Sequence, residues 1–262
     1  MTEYTDHHAP QGLRTRATVL VVPGRGETRH TYDRLGRRLA ADAYRVRVVD
    51  APDLGAGNPA AGELVARLAS FDARLTEAAD GAAGEDGVVR PLVLLGADTG
   101  ALAVAALLGR DAASGAGTRP DAVVLAGLPG RSAAAGGGTW EEELDVRTSC
   151  PTHRGALTAD TRVRRGSLDE AVPDALLAAA HAAGADVPAL ILTGDADPLA
   201  DHDALVRTAK SLPRARLSVV RGGHHDVLND LQHRSVAAEI VTFLETLRNG
   251  LVPLVAVESS AW

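Results

Sequence analysis

The chain has 262 residues, 45% of them hydrophobic and 23% charged, the profile of a soluble globular protein with one large core or at most two small ones. A formal net charge of −7 argues against a general nucleic-acid binder or a polybasic membrane anchor. The single cysteine, Cys150, excludes an internal disulfide framework, and apolar runs such as Ala101–Leu108 are too short to span a bilayer.

The opening, MTEYTDHHAPQG, has no basic n-region followed by an apolar stretch, so the cytoplasm is the expected compartment, with His7 and His8 inert in an unstructured start. Short β-branched runs then recur at Thr18–Val22, Arg45–Val49, Leu92–Leu95, Ala122–Leu125, Ala189–Leu192 and Leu217–Val220, each bounded by Gly, Pro or Asp. Between most of them lie apolar residues at helical spacing: Leu35 and Leu39; Leu64, Leu68, Phe71 and Leu75; Val236, Ile240, Phe243 and Leu247. This alternation predicts right-handed crossovers and a doubly wound, mostly parallel α/β sheet over a single domain, residues 1–262. One connection, about 128–187, shows no strand. Its Gly/Ala-rich stretch Ser132–Thr139 and helix-like pieces at Glu141–Arg147 and Asp169–Ala182 predict a small helical cap. After Pro253, the alternation Leu254-Val255-Ala256-Val257 fits an edge strand, a partner contact or an unstructured end.

In such sheets ligands bind at the carboxyl ends of the strands, and three loops there carry chemistry. Strand Leu92–Leu95 runs into Gly96-Ala97-Asp98-Thr99-Gly100 and a helix, the pattern of a nucleophile elbow with Asp98 at its tip. A helix-capping aspartate is the structural alternative. Thr193-Gly194-Asp195-Ala196-Asp197 follows a later strand, and Gly222-Gly223-His224-His225-Asp226 follows the last. The chain order is therefore nucleophile, acid, histidine.

Together with the segment PGRGETRHTY (residues 23–32), these loops resemble the α/β-hydrolase superfamily, in its monoacylglycerol-lipase and lysophospholipase branch. Residues 23–32 are similar to that branch's HGxGEHSGRY segment, Arg45–Gly55 to its next strand and D-x-x-G turn, and GHHDVLND (residues 223–230) to its histidine motif. The resemblance implies catalytic Asp98, Asp197 and His225, with oxyanion donors at the backbone N–H groups of Arg25 and Thr99. By this register Asp197 is preferred to Asp195, and His225 to His224. Gly24 and Trp140 are the expected substrate contacts. The family's serine is replaced by Asp98, and its leading histidine by Pro23.

That replacement changes the expected chemistry. Asp98 is ionised at neutral pH without help, but its attack on an ester carbonyl would give an anhydride. Attack on an sp³ carbon bearing a leaving group gives an ordinary ester, which water activated by His225 can cleave while Asp197 orients the ring. Asp-nucleophile epoxide hydrolases and haloalkane dehalogenases, which share the fold, work in this way. Two departures from them stand out. Tyr4, Tyr32 and Tyr44 all precede the cap, and Thr99 occupies the place of the dehalogenases' halide-binding Trp.

The sequence therefore predicts hydrolysis of a small organic molecule, an epoxide, halide or related ester or lactone, without a cofactor. A non-covalent acid/base reaction (cyclase, lyase or lactone-forming) and an inactive ligand-binding homologue are the alternatives. A dinucleotide site at Gly24-Arg25-Gly26 lacks its third glycine, since Arg29 stands there, and a metal site at His224, His225 and Asp226 lacks accompanying ligands at metal spacing. His202 between Asp201 and Asp203 is expected at a helix start, and Arg162, Arg164 and Arg165 on a solvated face. A homodimer is left open.

Overall fold

The computed structural model describes residues 4–54, 59–83, 87–114, 117–130, 138–182 and 186–260. Gly55 and most of Ser132–Thr139 lie outside these described residues. All six expected strands form: β2 (Thr18–Val22), β3 (Arg45–Val48), β4 (Leu92–Ala97), β5 (Ala122–Ala126), β6 (Ala189–Gly194) and β7 (Ala215–Val220). They pair in parallel in the order β3-β2-β4-β5-β6-β7.

A seventh strand, β1 (Thr5–His7), pairs antiparallel to β3 and corrects the expectation of an unstructured start. His7 is not inert there. It packs where a Cβ on Gly36 would stand, and Arg47 bridges the Asp6 carboxylate with bonds of 2.6 and 2.7 Å.

Successive strand residues point to opposite faces and build two apolar layers. Leu20, Val22, Leu94, Leu125 and Ile191 face α2 (Ala61–Gly81), α3 (Asp98–Ser114) and α6 (Asp174–Ala182). Val19, Val21, Leu95, Val124 and Leu192 face α1 (Asp33–Ala41) and α8 (His233–Arg248). Burial on both faces explains why the strands read as nearly unbroken apolar runs. Helix α7 (His202–Ser211) begins at His202, with the Asp201 side chain capping it by accepting from the Ala204 N–H.

The 128–187 connection is helical among the described residues, but it divides. Helices α4 (Trp140–Arg147) and α5 (Pro151–Ala159), with the 3₁₀ turn Ser167–Asp169, lie against the loops at the strand ends. Helix α6 instead buries Leu176, Leu177 and Ala180 in the core layer beside α3. The covering part is therefore shorter than the sequence pattern implies. No strand forms over 251–260, where Val252, Leu254, Val255 and Val257 are exposed. No helix among the described residues is long and apolar enough to cross a membrane.

Candidate active site

Strand β4 ends in Ala97, and the chain turns straight into α3 with Asp98 at φ 47°, in the left-handed region that a side chain rarely adopts. The flanking glycines permit this turn. A Cβ on Gly96 would sit 2.6 Å from the Ala101 Cα, and one on Gly100 would strike the Pro23 carbonyl. Gly24 is the third close approach: its Cβ would lie 2.8 Å from the Asp98 Cβ, so its role here is to let the β2 loop pass against the elbow.

Loops from β2, β4, β6 and β7 converge on this point. His225 Nε2 lies 3.3 Å from Asp98 Oδ1, an ionic contact without hydrogen-bond geometry. Its Nδ1 lies 3.0 Å from Asp197 Oδ2, and Asp197 Oδ1 accepts the Leu199 N–H at 2.9 Å. All three residues are buried, at 5% exposure or less. Asp195 and His224 lie elsewhere: Asp195 is exposed and accepts the Gly222 N–H, while His224 pairs with Asp230. The α4 C-terminus holds the histidine loop from the cap side, as the carbonyls of Val146 and Arg147 accept the N–H groups of His225 and Asp226.

The sequence did not foresee the side chain of Arg25. Its guanidinium grips Asp98 in a two-pronged ion pair, Nε to Oδ2 at 2.8 Å and Nη2 to Oδ1 at 2.9 Å. The Arg25 backbone N–H donates to Oδ2 as well, at 2.8 Å. Nη1 donates to the Leu168 and Glu170 carbonyls, which anchors the guanidinium to the cap. The cavity bounded by Asp98, His225, Tyr32, Glu27 and Asn229 holds only about 10 Å³, room for about one water. A substrate therefore enters only after Arg25 or the covering segment shifts.

Trp140 is not brought to this place. Its indole N–H donates to Thr158, Arg165 stacks on its ring, and it packs against the cap cluster of Leu144, Leu157 and Val163. No described contact joins Thr99 to the pair. Arg162, Arg164 and Arg165 are exposed, as expected of a solvated face.

Behind Asp98 lies a second ionic group that sequence reading missed. Arg147, fully buried, bonds Glu143 at 2.9 and 3.1 Å, Ser167 at 2.9 Å and the Arg25 carbonyl at 2.9 Å, and approaches Asp226 to 3.4 Å. Glu27 accepts from the Gly24 N–H and the Tyr32 hydroxyl, and His153 pairs with Asp226 at 2.9 Å. Ligand atoms of Glu27, His153 and Asp226 lie within 4.8 Å of one another, but Arg147 already supplies the positive charge there. Burial and then Asp226 push the Glu27 carboxyl up to about 7, against the opposing pull of Arg147. Glu27 and Tyr32 both stand in the segment that carried the family resemblance, whereas nothing in the pattern marks Arg147 as buried.

Two protonation states follow from the geometry. Burial would raise the Asp98 carboxyl, but Arg25 and then His225 outweigh it and hold Asp98 well below the ordinary range, as a carboxylate. Burial would lower His225, but Asp197 and then Asp98 raise it to about 10, so at rest it is an imidazolium between two anions. A base whose folded value exceeds its unfolded 6.5 contributes stability that is complete below 6.5 and lost as pH rises through 10. Urea unfolding between pH 6.5 and 10 is expected to show wild-type stability falling with a slope of up to about 1.4 kcal/mol per pH unit, and a shallower fall in His225→Gln. Equal slopes in the two proteins would contradict the imidazolium assignment.

A mostly parallel sheet with its elbow after β4 and its acid and histidine loops after β6 and β7 defines an α/β-hydrolase-fold protein. Residues 14–232 match the hydrolase family described as serine aminopeptidase, S33, and the chain belongs to that family. It is a hydrolase of the α/β-hydrolase superfamily. Among solved structures it is similar to the monoacylglycerol lipase of Paleococcus ferrophilus, at 17% identity and TM-score 0.66 over 94% of this chain and 99% of that one. It is also similar to a soluble variant of monoglyceride lipase from Saccharomyces cerevisiae, at 15% identity and TM-score 0.67 over 93% and 91%. A putative non-heme bromoperoxidase from Mycobacterium tuberculosis aligns at 17% identity and TM-score 0.66 over 94% and 96%. No curated protein sequence matches the chain.

Proposed function

We propose that the chain hydrolyses a small organic substrate at an sp³ carbon, of the epoxide or halide type, through an Asp98–His225–Asp197 triad with Asp98 as nucleophile. The observation that carries this reading is the different setting of the two Asp98 oxygens. Oδ2 rests on the backbone N–H of Arg25, the donor expected of an oxyanion hole, while Oδ1 faces His225. Oδ1 attacks carbon, the carbon–leaving-group bond breaks, and the leaving group departs with its electron pair. Oδ2 becomes the carbonyl oxygen of the new ester without leaving its donor. With Asp98 esterified, His225 releases its resting proton to solvent alongside the leaving group. Water then adds to the Asp98 Cγ and the neutral His225 takes its proton, and the Asp98 carboxylic acid formed at the end returns a proton to His225. The charge that develops on Oδ2 falls where the N–H already points, an arrangement that needs no reorganisation. Collapse breaks the bond between Cγ and the former Oδ1, which leaves with the product alcohol, protonated by His225. With Oδ2 on the Arg25 N–H, the Thr99 N–H is assigned as the second donor.

A serine-type lipase reaction is disfavoured because an ionised carboxylate attacking an ester yields an anhydride. A second reading has its own support: His225, at about 10, is a proton donor at neutral pH, which suits non-covalent acid/base chemistry. Single turnover of a short epoxide and a short alkyl halide in heavy-oxygen water separates the two. Covalent catalysis places the heavy oxygen in the Asp98 peptide and leaves the product alcohol unlabelled. A labelled product with an unlabelled Asp98 overturns the nucleophile assignment.

A further inference from the structure

We propose that the substrate is an organic carboxylate, and that its carboxylate group takes the Arg25 guanidinium over from Asp98, which frees Oδ1 for attack. The inference rests on the nucleophile reading above and names the substrate class for it. Arg25 already holds a carboxylate in a two-pronged grip, with Nε and Nη2 at 2.8 and 2.9 Å from the two oxygens. That geometry matches a planar carboxylate better than a spherical anion. In this arrangement Nη2 occupies Oδ1, so the nucleophile is blocked by its own counter-ion. A neutral substrate would have to separate a buried ion pair and leave the Arg25 guanidinium without a counter-ion, which is costly. An anionic substrate gives the fork a new carboxylate, while Asp98 keeps the His225 imidazolium, 3.3 Å away, as its counter-charge.

A second feature independently points to an anion. On the outer side of the same wall, a groove of about 850 Å³ is lined by Arg34, Arg37, Arg38, His233 and Arg234, and their guanidinium groups outnumber the Asp33 and Asp42 carboxylates that also line it. Asn229 belongs both to this groove and to the small cavity at Asp98. Burial, followed by Arg34, Arg38 and Arg234, lowers His233, as expected where positive charge is concentrated. Such an excess of positive charge raises the local concentration of small anions although the chain carries a net charge of −7.

Calorimetric binding of propanoate and of isosteric, neutral propanamide tests the recognition without chemistry. Wild type is expected to bind propanoate at least tenfold more tightly than propanamide. Asp98→Asn removes the competing carboxylate and is expected to tighten propanoate at least a further tenfold. Arg25→Gln combined with Asp98→Asn, which deletes both charges together, is expected to abolish the preference. Equal binding of the acid and the amide to wild type overturns the proposal, and that comparison requires no variant to fold. Inorganic phosphate binding as tightly as propanoate overturns the carboxylate assignment. Leaving-group release from 2-chloropropanoate and 2-chloropropanamide reports the chemistry separately. A propanoate preference without chloride release or Asp98 labelling leaves carboxylate recognition standing and removes the nucleophile reading.

Discussion

A His225→Gln variant is expected to release one equivalent of leaving group per site and then stall, with steady-state turnover lowered by about 10²- to 10⁴-fold. The reason lies in how charge is distributed around the imidazole. At rest, Asp98 and Asp197 flank it at 3.3 and 3.0 Å and keep it protonated, so it is no base for the first step and none is needed there. Once Asp98 is esterified, one of the two anions has gone. The remaining influences are burial, which lowers His225, and Asp197, which raises it, so its proton affinity falls just as a base is required. Gln cannot take a proton from water, and the ester accumulates. Asp98 stays ionised in the variant because Arg25 still pairs with it. Intact-mass spectrometry of the stalled protein is expected to show the alkyl group on the Asp98 peptide. Steady turnover without a burst, or an unmodified Asp98, would sink the two-step scheme.

The features legible in the sequence are those written locally. Buried strands announce themselves as β-branched runs closed by Gly, Pro or Asp, and the Gly96–Gly100 elbow is readable because its two glycines are required by close approach. Strand β1 escaped because three polar residues, the half-buried Thr5 and His7 about an exposed Asp6, have neither an apolar run nor alternation; the edge of β3 recruits them through backbone pairing. Helix α5 escaped because only His153 and Leu157 are buried along it. Helix α6 looked like part of a cap because position in the chain does not reveal that Leu176 and Leu177 reach the core layer. The side chain of Arg25 was invisible for a different reason. The family resemblance assigns that position a backbone role, whereas its ion pair joins residues 73 positions apart.

Replacing Arg147 with Met is expected to cost about 3–5 kcal/mol of folding stability, the usual penalty for removing one partner of a buried ion pair. Among the described residues Arg147 is the largest fully buried side chain; it pairs with Glu143 on its own helix, joins α4 to the 3₁₀ turn through Ser167, and ties it to the body through Asp226 and the Arg25 carbonyl. Without it, the Glu143 and Asp226 carboxylates lose their shared cation in a region where Glu27 already has a raised proton affinity. For a chain of this size the loss corresponds to a fall in Tm of about 10 °C. Glu143→Gln combined with Arg147→Met is expected to recover part of it, since one stranded charge is neutralised while Asp226 keeps His153. Arg154→Met supplies the comparison. Arg154 pairs with the exposed carboxylates of Glu141 and Asp145, and its loss is expected to cost under about 1 kcal/mol. The Arg147 carbonyl also accepts the Asp226 N–H, and its guanidinium fixes the backbone that presents the Arg25 N–H to Asp98, so the single variant should lose activity at temperatures where it is still folded. Denaturation and activity curves that match those of Arg154→Met would show that the cap is held by its apolar contacts alone.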